Sequence, residues 1–134
     1  MDNINEKMDL NERIYHLTKK GKEYSNGKRD IEAKKCFKKA YNAAKEKHKE
    51  DRPKEFNYIA KSAYKAGYED LCDKILAEAV DSIDEVDDRL KKANSVARIG
   101  STYAEIGDVE SSMQNLSLSL DYLNEFSYDW RKIE

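Results

Sequence analysis

Apolar residues in this chain recur at three- and four-residue spacing in six successive runs separated by short polar breaks. That period places each run on one side of an α-helix. The first run, Leu10, Ile14, Leu17, Gly21 and Tyr24, predicts a helix that starts near Asp9 or Asn11 and ends around Asn26 and Gly27. The second opens near Asp30 and turns Ala33, Cys36, Phe37, Ala40 and Ala44 inward, leaving Lys34, Lys35, Lys38 and Lys39 on a solvated face. The third presents Phe56, Ile59, Ala60, Ala63 and Ala66, and the fourth answers with Leu71, Cys72, Ile75, Leu76, Ala79 and Ile83. The fifth shows Val96, Ile99, Gly100, Tyr103 and Ile106, and the sixth is expected to turn Val109, Met113, Leu116, Leu120 and Leu123 inward.

The breaks between the runs are of two kinds. Gly27, Gly67 and Gly107 recur at an interval of forty residues, each with an acidic residue three positions on, and each is expected to join the two helices of a pair. Charged breaks, Lys47 to Pro53 and Asp84 to Asp88, separate one pair from the next. Pro53 suits the first turn of a helix, where its missing N–H is harmless, and the second break offers carboxylates to cap the following helix. A period near forty with one tight turn per unit predicts stacked helix pairs, each burying its apolar face against its neighbours. The expected organisation is one domain over residues 1–134, with repeats at about 11–50, 53–83 and 86–125. A tail, 126–134, carries the only tryptophan, Trp130, and is expected to fold back as a cap on the open end of the array.

Composition agrees with an all-α chain, since charged residues make up 39% and only one proline occurs. The net charge of −2 conceals an asymmetry: residues 1–50 carry 14 Lys/Arg against 9 Asp/Glu, and residues 51–134 carry 11 against 18. This layout can steer an acidic partner toward the first helices, or reflect only solvated helix faces. The opening residues contain no apolar signal core and no stretch approaches a membrane span, so a soluble cytoplasmic protein is expected. Cys36 and Cys72 lie within apolar helical patterns, without zinc or redox spacing, and are read as reduced core residues.

Catalytic chemistry finds little footing. His16 and His48 are isolated, no phosphate-binding loop occurs, and the Asp87-Asp88 pair is explained by capping. The acidic break lacks the central glycine and distal glutamate of a calcium loop. The expectation is therefore a protein that is not an enzyme and holds no cofactor or metal.

Within each pair, small and large residues alternate in a fixed register: Gly21-x2-Tyr24 then Ala33-x3-Phe37-x2-Ala40; Ala60-x2-Ala63 then Cys72-x3-Leu76-x2-Ala79; Gly100-x2-Tyr103 then Ser112-x3-Leu116-x2-Ser119. This register resembles the tetratricopeptide repeat family over about residues 11–125. The period is longer than that family's thirty-four, no Trp opens a pair, and Gly27 falls one residue early, so an array of HEAT or armadillo type stays open as the alternative. The resemblance implies a right-handed α-solenoid whose first helices line a concave groove for a peptide. On this chain the groove would contain Tyr15, Lys19, Lys22, Asn57, Tyr58, Lys61, Tyr64, Lys65, Asn94, Arg98 and Ser101. Such basic groups, amides and tyrosines imply a protein-interaction scaffold for an acidic peptide. Thr18, Lys22, Tyr58 and Asn94 depart from the family's terminal-carboxylate clamp and only Arg98 agrees, so that specificity is not assigned.

Two other functions fit the same residues. Single-stranded RNA could stack on the tyrosines, although a pI near 5.8 and an acidic second half oppose a phosphate track. Self-association through the terminal helices, giving a homodimer, is the second.

Overall fold

A computed structural model describes residues 9–133, with side chains through Glu125. Among the described residues there are six α-helices and no strand: α1 Leu10–Asn26, α2 Asp30–Ala44, α3 Arg52–Lys65, α4 Glu69–Ser82, α5 Arg89–Ile106 and α6 Val109–Ile133. A 3-10 turn, Ile83–Glu85, extends α4. The helices pack chiefly as α1 with α2, α3 with α4 and α5 with α6, and α3 bridges α1, α2 and α5. The result is an all-α helical repeat of three pairs in series.

Local chemistry sets the helix ends. The Asp9 carboxylate accepts from the Glu12 N–H at 2.8 Å and that of Asp88 from the Lys91 N–H at 3.0 Å, so each satisfies a donor that its helix leaves unpaired. Asp108 does the same for Ser111 at 3.1 Å, and Pro53 occupies the first turn of α3. The roles of Pro53 and Asp88 are those expected of the two charged breaks.

The turns repeat in detail, one residue off the glycine pattern in the first pair. Arg29 N–H donates to Tyr24 O at 2.8 Å, Tyr68 N–H to Ala63 O at 2.9 Å, and Asp108 N–H to Tyr103 O at 2.9 Å. The residue before each donor is left-handed: Lys28 at φ 61°, Gly67 at 94° and Gly107 at 95°. Gly27 has φ −84° and lies within the turn, so Lys28 and not Gly27 is the joint. A lysine holds the position because the rest of the turn's hydrogen bonding is intact, at the steric cost glycine would avoid.

With Lys28, Gly67 and Gly107 in register, the small and large core residues also align. An added Cβ at Gly21 would stand 2.9 Å from the Phe37 ring, and one at Gly100 would stand 3.0 Å from Leu116 Cγ. Close helix approach is thus built from a residue without a side chain facing a bulky one. In the middle pair the same positions are Ala60 and Leu76, both fully buried. The core runs from Ile14 and Phe37 through Phe56, Ile59 and Leu76 to Val96 and Ile99. Cys36 and Cys72 are buried and free, and burial pushes the Cys72 thiol up to about 11.

The two charged breaks meet in space. Glu50 accepts from the Asp87 N–H at 2.9 Å and the Asp88 N–H at 3.4 Å, Lys49 Nζ lies 2.8 Å from Asp87, and Arg52 lies 3.4 Å from Glu85. The Lys49 ammonium holds the Asp87 carboxyl below its usual range. Opposite charge in successive linkers therefore ties the pairs together.

The last helix departs from expectation twice. Residues 126–133 continue α6 as helix and form no separate turn, and the side chains of the expected cap, including Trp130, lie outside the described residues. The apolar stripe of α6 also faces outward: Val109, Met113 and Leu120 are more than 60% exposed and Leu116 is 42% exposed. Ser112 and Ser119 are buried instead, and the Ser119 hydroxyl donates to Ala93 O at 2.8 Å. In the turn register the inner counterparts of Val109 and Met113, Asp30 and Lys34 of α2 and Glu69 and Asp73 of α4, are exposed as well, whereas those of Leu116, Phe37 and Leu76, are buried.

Candidate functional site

The first helices α1, α3 and α5 lie side by side, because α3 packs against both of the others. Along their common side runs an open cleft of about 530 Å³, lined by Asn11, Lys54, Glu55, Asn57, Tyr58, Lys61, Arg98, Ser101 and Thr102. Helix α3 supplies its floor, and α5 supplies the wall with Arg98, Ser101 and Thr102.

Asn57 stands at the base of this cleft. It is 8% exposed, and its Oδ1 is buried without a hydrogen-bond partner among the described residues. The turn register places Thr18 of α1 at the same position, and there the hydroxyl donates to Ile14 O at 2.7 Å. A buried oxygen left unmet costs about 1–3 kcal/mol, so the Asn57 Oδ1 is an acceptor with capacity to spare beside the cleft.

The surrounding charges are not equivalent. Lys61 Nζ is 3.3 Å from Glu105, so its charge is already matched. Lys54 and Arg98 have no ion pair among the described residues. Glu55 sits in the same lining and sets a limit on the positive potential. Tyr58 is half-buried, and burial first, then the neighbouring Tyr15 and Glu55, push its phenol above the usual value. It therefore stays a neutral, flat, hydrogen-bonding ring.

Of the residues expected to line the groove, Asn57, Tyr58, Lys61, Arg98 and Ser101 are brought together in this cleft. The others are not part of its lining. Tyr15, Lys19 and Lys22 are exposed on α1, Lys65 is exposed at the end of α3, and Asn94 is exposed on α5. Tyr64 is half-buried against the core. Asn11, Lys54, Glu55 and Thr102 were absent from the expected set. Lys54 precedes Tyr58 by one helical turn, a spacing that could have found it. Asn11 accepts a hydrogen bond from Lys47, a pairing that only the packed fold reveals. The Thr102 hydroxyl is turned onto Arg98 O at 3.1 Å.

A second depression, of about 590 Å³, lies between α2 and the start of α4. Its lysines, Lys34, Lys38 and Lys74, share the lining with Glu69 and Asp70, and the Tyr68 hydroxyl donates to Asp30 at 2.7 Å. Lys34 Nζ also lies over the Tyr68 ring at 5.5 Å, and no side chain of this lining holds a buried polar atom without a partner, as Asn57 does in the cleft. Among the described residues no group of three His, Cys, Asp or Glu is placed to hold a metal, and no helix is long and apolar enough to cross a membrane.

The fold and cleft thus define an all-α helical repeat with a polar groove on its first helices. No protein-family model, curated protein or solved structure matches the chain.

Proposed function

We propose that this chain is a non-enzymatic protein-interaction scaffold of tetratricopeptide-like type, and that the cleft between α3 and α5 takes an extended acidic peptide. The observation that carries the reading is the buried, unpartnered Oδ1 of Asn57 in the lining of the cleft. Its Oδ1 accepts a peptide N–H, which removes the cost of an unmet buried oxygen at the moment of binding. The Arg98 guanidinium, with Lys54 across the cleft, takes a carboxylate side chain, and Tyr58 offers a flat contact to the peptide backbone. Neither His16 nor His48 lines the cleft. Two free, buried thiols suit a reducing compartment, which favours the cytoplasm as the place of action. Lys54 and Arg98 can meet one or two carboxylates but are too few for the run of phosphate contacts a nucleic-acid strand needs, which disfavours that ligand.

Selection from a random peptide library, followed by affinity measurement on variants, tests this. The selected peptides should be enriched in Asp and Glu and bind more weakly as salt is raised. Asn57→Ala should weaken binding about tenfold, the equivalent of one hydrogen bond, while leaving the fold as stable as before. Arg98→Glu should abolish it. Peptides without acidic enrichment, or undiminished binding by both variants, would contradict the proposal.

A further inference from the structure

Arg98, Ser101 and Thr102 line the cleft from α5, and Glu105 continues the same helix face one turn further on. Its carboxylate crosses to α3, where it lies 3.3 Å from the Lys61 ammonium. Lys61 follows Lys54 by seven residues and Glu105 follows Arg98 by seven, which is two turns, or about 10 Å, along each helix. The cleft therefore has two charged levels. At the first, Lys54 and Arg98 outnumber Glu55, and neither cation forms an ion pair among the described residues. At the second, one ammonium is matched by one carboxylate. Lys65, a turn beyond Lys61 on α3, lies outside the lining.

The two levels answer an arriving carboxylate differently. At Lys54 and Arg98 it offsets an excess of positive charge and takes up guanidinium donors that no acid of the fold occupies. At Lys61 it meets an ammonium already matched, and to reach it must stand beside the Glu105 carboxylate. The Lys61 and Glu105 side chains are 37% and 41% exposed, so their bridge opens readily, but opening it leaves two carboxylates on one ammonium. Repulsion between them offsets the attraction that Lys61 supplies. A ligand ammonium fares no better there, drawn to Glu105 and repelled by Lys61. An extended peptide advances about 3.3 Å per residue, so the two levels are about three peptide residues apart.

We infer that the Lys61–Glu105 pair sets the specificity of the cleft: the peptide carries one anchoring Asp or Glu at Lys54 and Arg98, and a charge three residues further along it, toward Lys61, adds no affinity. This rests on the reading of the cleft as an acidic-peptide site. Glu105 acts through Lys61, as a carboxylate of the chain's own that holds the ammonium a second ligand acid would use. Without it, the same cleft selects two acids three residues apart.

A charge scan of a peptide selected from a random library on the parent protein tests this. Each peptide position is made Glu or Gln in turn, and affinities are measured for the parent, Arg98→Glu, Glu105→Gln, Lys61→Met and the last two combined. On the parent, one anchor position should favour Glu, a preference lost in Arg98→Glu, and the position three residues toward Lys61 should bind Glu and Gln alike. On Glu105→Gln, Glu at that second position should bind about three- to fivefold tighter than Gln, the worth of one exposed ion pair. That gain should fade as salt is raised and vanish when Lys61→Met is added. A parent that already favours the second acid, a Glu105→Gln protein that does not, or a gain that persists without Lys61 would overturn the inference and leave the anchor intact. No acidic anchor, or one indifferent to Arg98→Glu, would overturn the cleft reading and the filter with it.

Discussion

Exchanging Gly21 and Phe37 for the residues of the middle pair tests whether the three pairs are equivalent units. Gly21→Ala places a Cβ 2.9 Å from the Phe37 ring, inside any normal carbon contact. Overpacking of this kind costs about 1–3 kcal/mol, less about 1 kcal/mol gained by removing glycine from a helix interior. Phe37→Leu shortens a fully buried side chain and gives up the edge contact with Tyr68, whose ring centroid is 6.0 Å away. A large-to-small change of that size costs about 1–3 kcal/mol, the aromatic contact included. Together the two substitutions reproduce the Ala60 and Leu76 combination, in which the smaller partner leaves room for the added methyl. Urea unfolding of parent, singles and double should therefore give a coupling of about 1 kcal/mol or more in favour of the double. Strict additivity would show that Gly21 and Phe37 do not face one another as the repeat register requires.

Two further outcomes follow from the turn and from the thiol. Lys28→Gly should stabilise the protein by up to about 1 kcal/mol in thermal or urea unfolding, because φ 61° strains a side chain, whereas Gly27→Ala at φ −84° should cost little. A loss of stability in Lys28→Gly would mean that the first turn differs from the other two. Burial raises the Cys72 thiol from 9.0 to about 11 in the folded protein, so the folded state disfavours the thiolate. The stability this contributes is whole below pH 9 and is lost as pH rises toward about 11, and Cys72→Ala should flatten that alkaline decline. An unchanged pH profile in Cys72→Ala would refute the assignment.

Much of this architecture was legible in the residue pattern, and the exceptions share a cause. A three-to-four spacing identifies the stripe of a helix, and small-large alternation identifies which stripes meet, so Gly21 with Phe37 and Gly100 with Leu116 could be paired in advance. The same spacing in Val109, Met113 and Leu120 says nothing of whether a neighbour is there to cover it, and those residues are exposed. Lys28 is not legible as the joint because a left-handed lysine carries no sequence mark, while Gly27 beside it does. In the cleft, Asn57, Tyr58, Lys61, Arg98 and Ser101 were reachable because each pair offers the same side of its first helix. The match of Lys61 to Glu105 and the unmet oxygen of Asn57 depend on distances between helices, which no local pattern encodes.

The most direct test of the proposed groove is an NMR titration of the labelled full chain with an Asp/Glu-rich peptide, following the Asn57 side-chain amide and the Arg98 guanidinium. The account predicts that both shift together, with one saturating curve, while the signals of Lys34 and Lys38 stay still. Shifts confined to the lysines of α2, or none at Asn57, would contradict it.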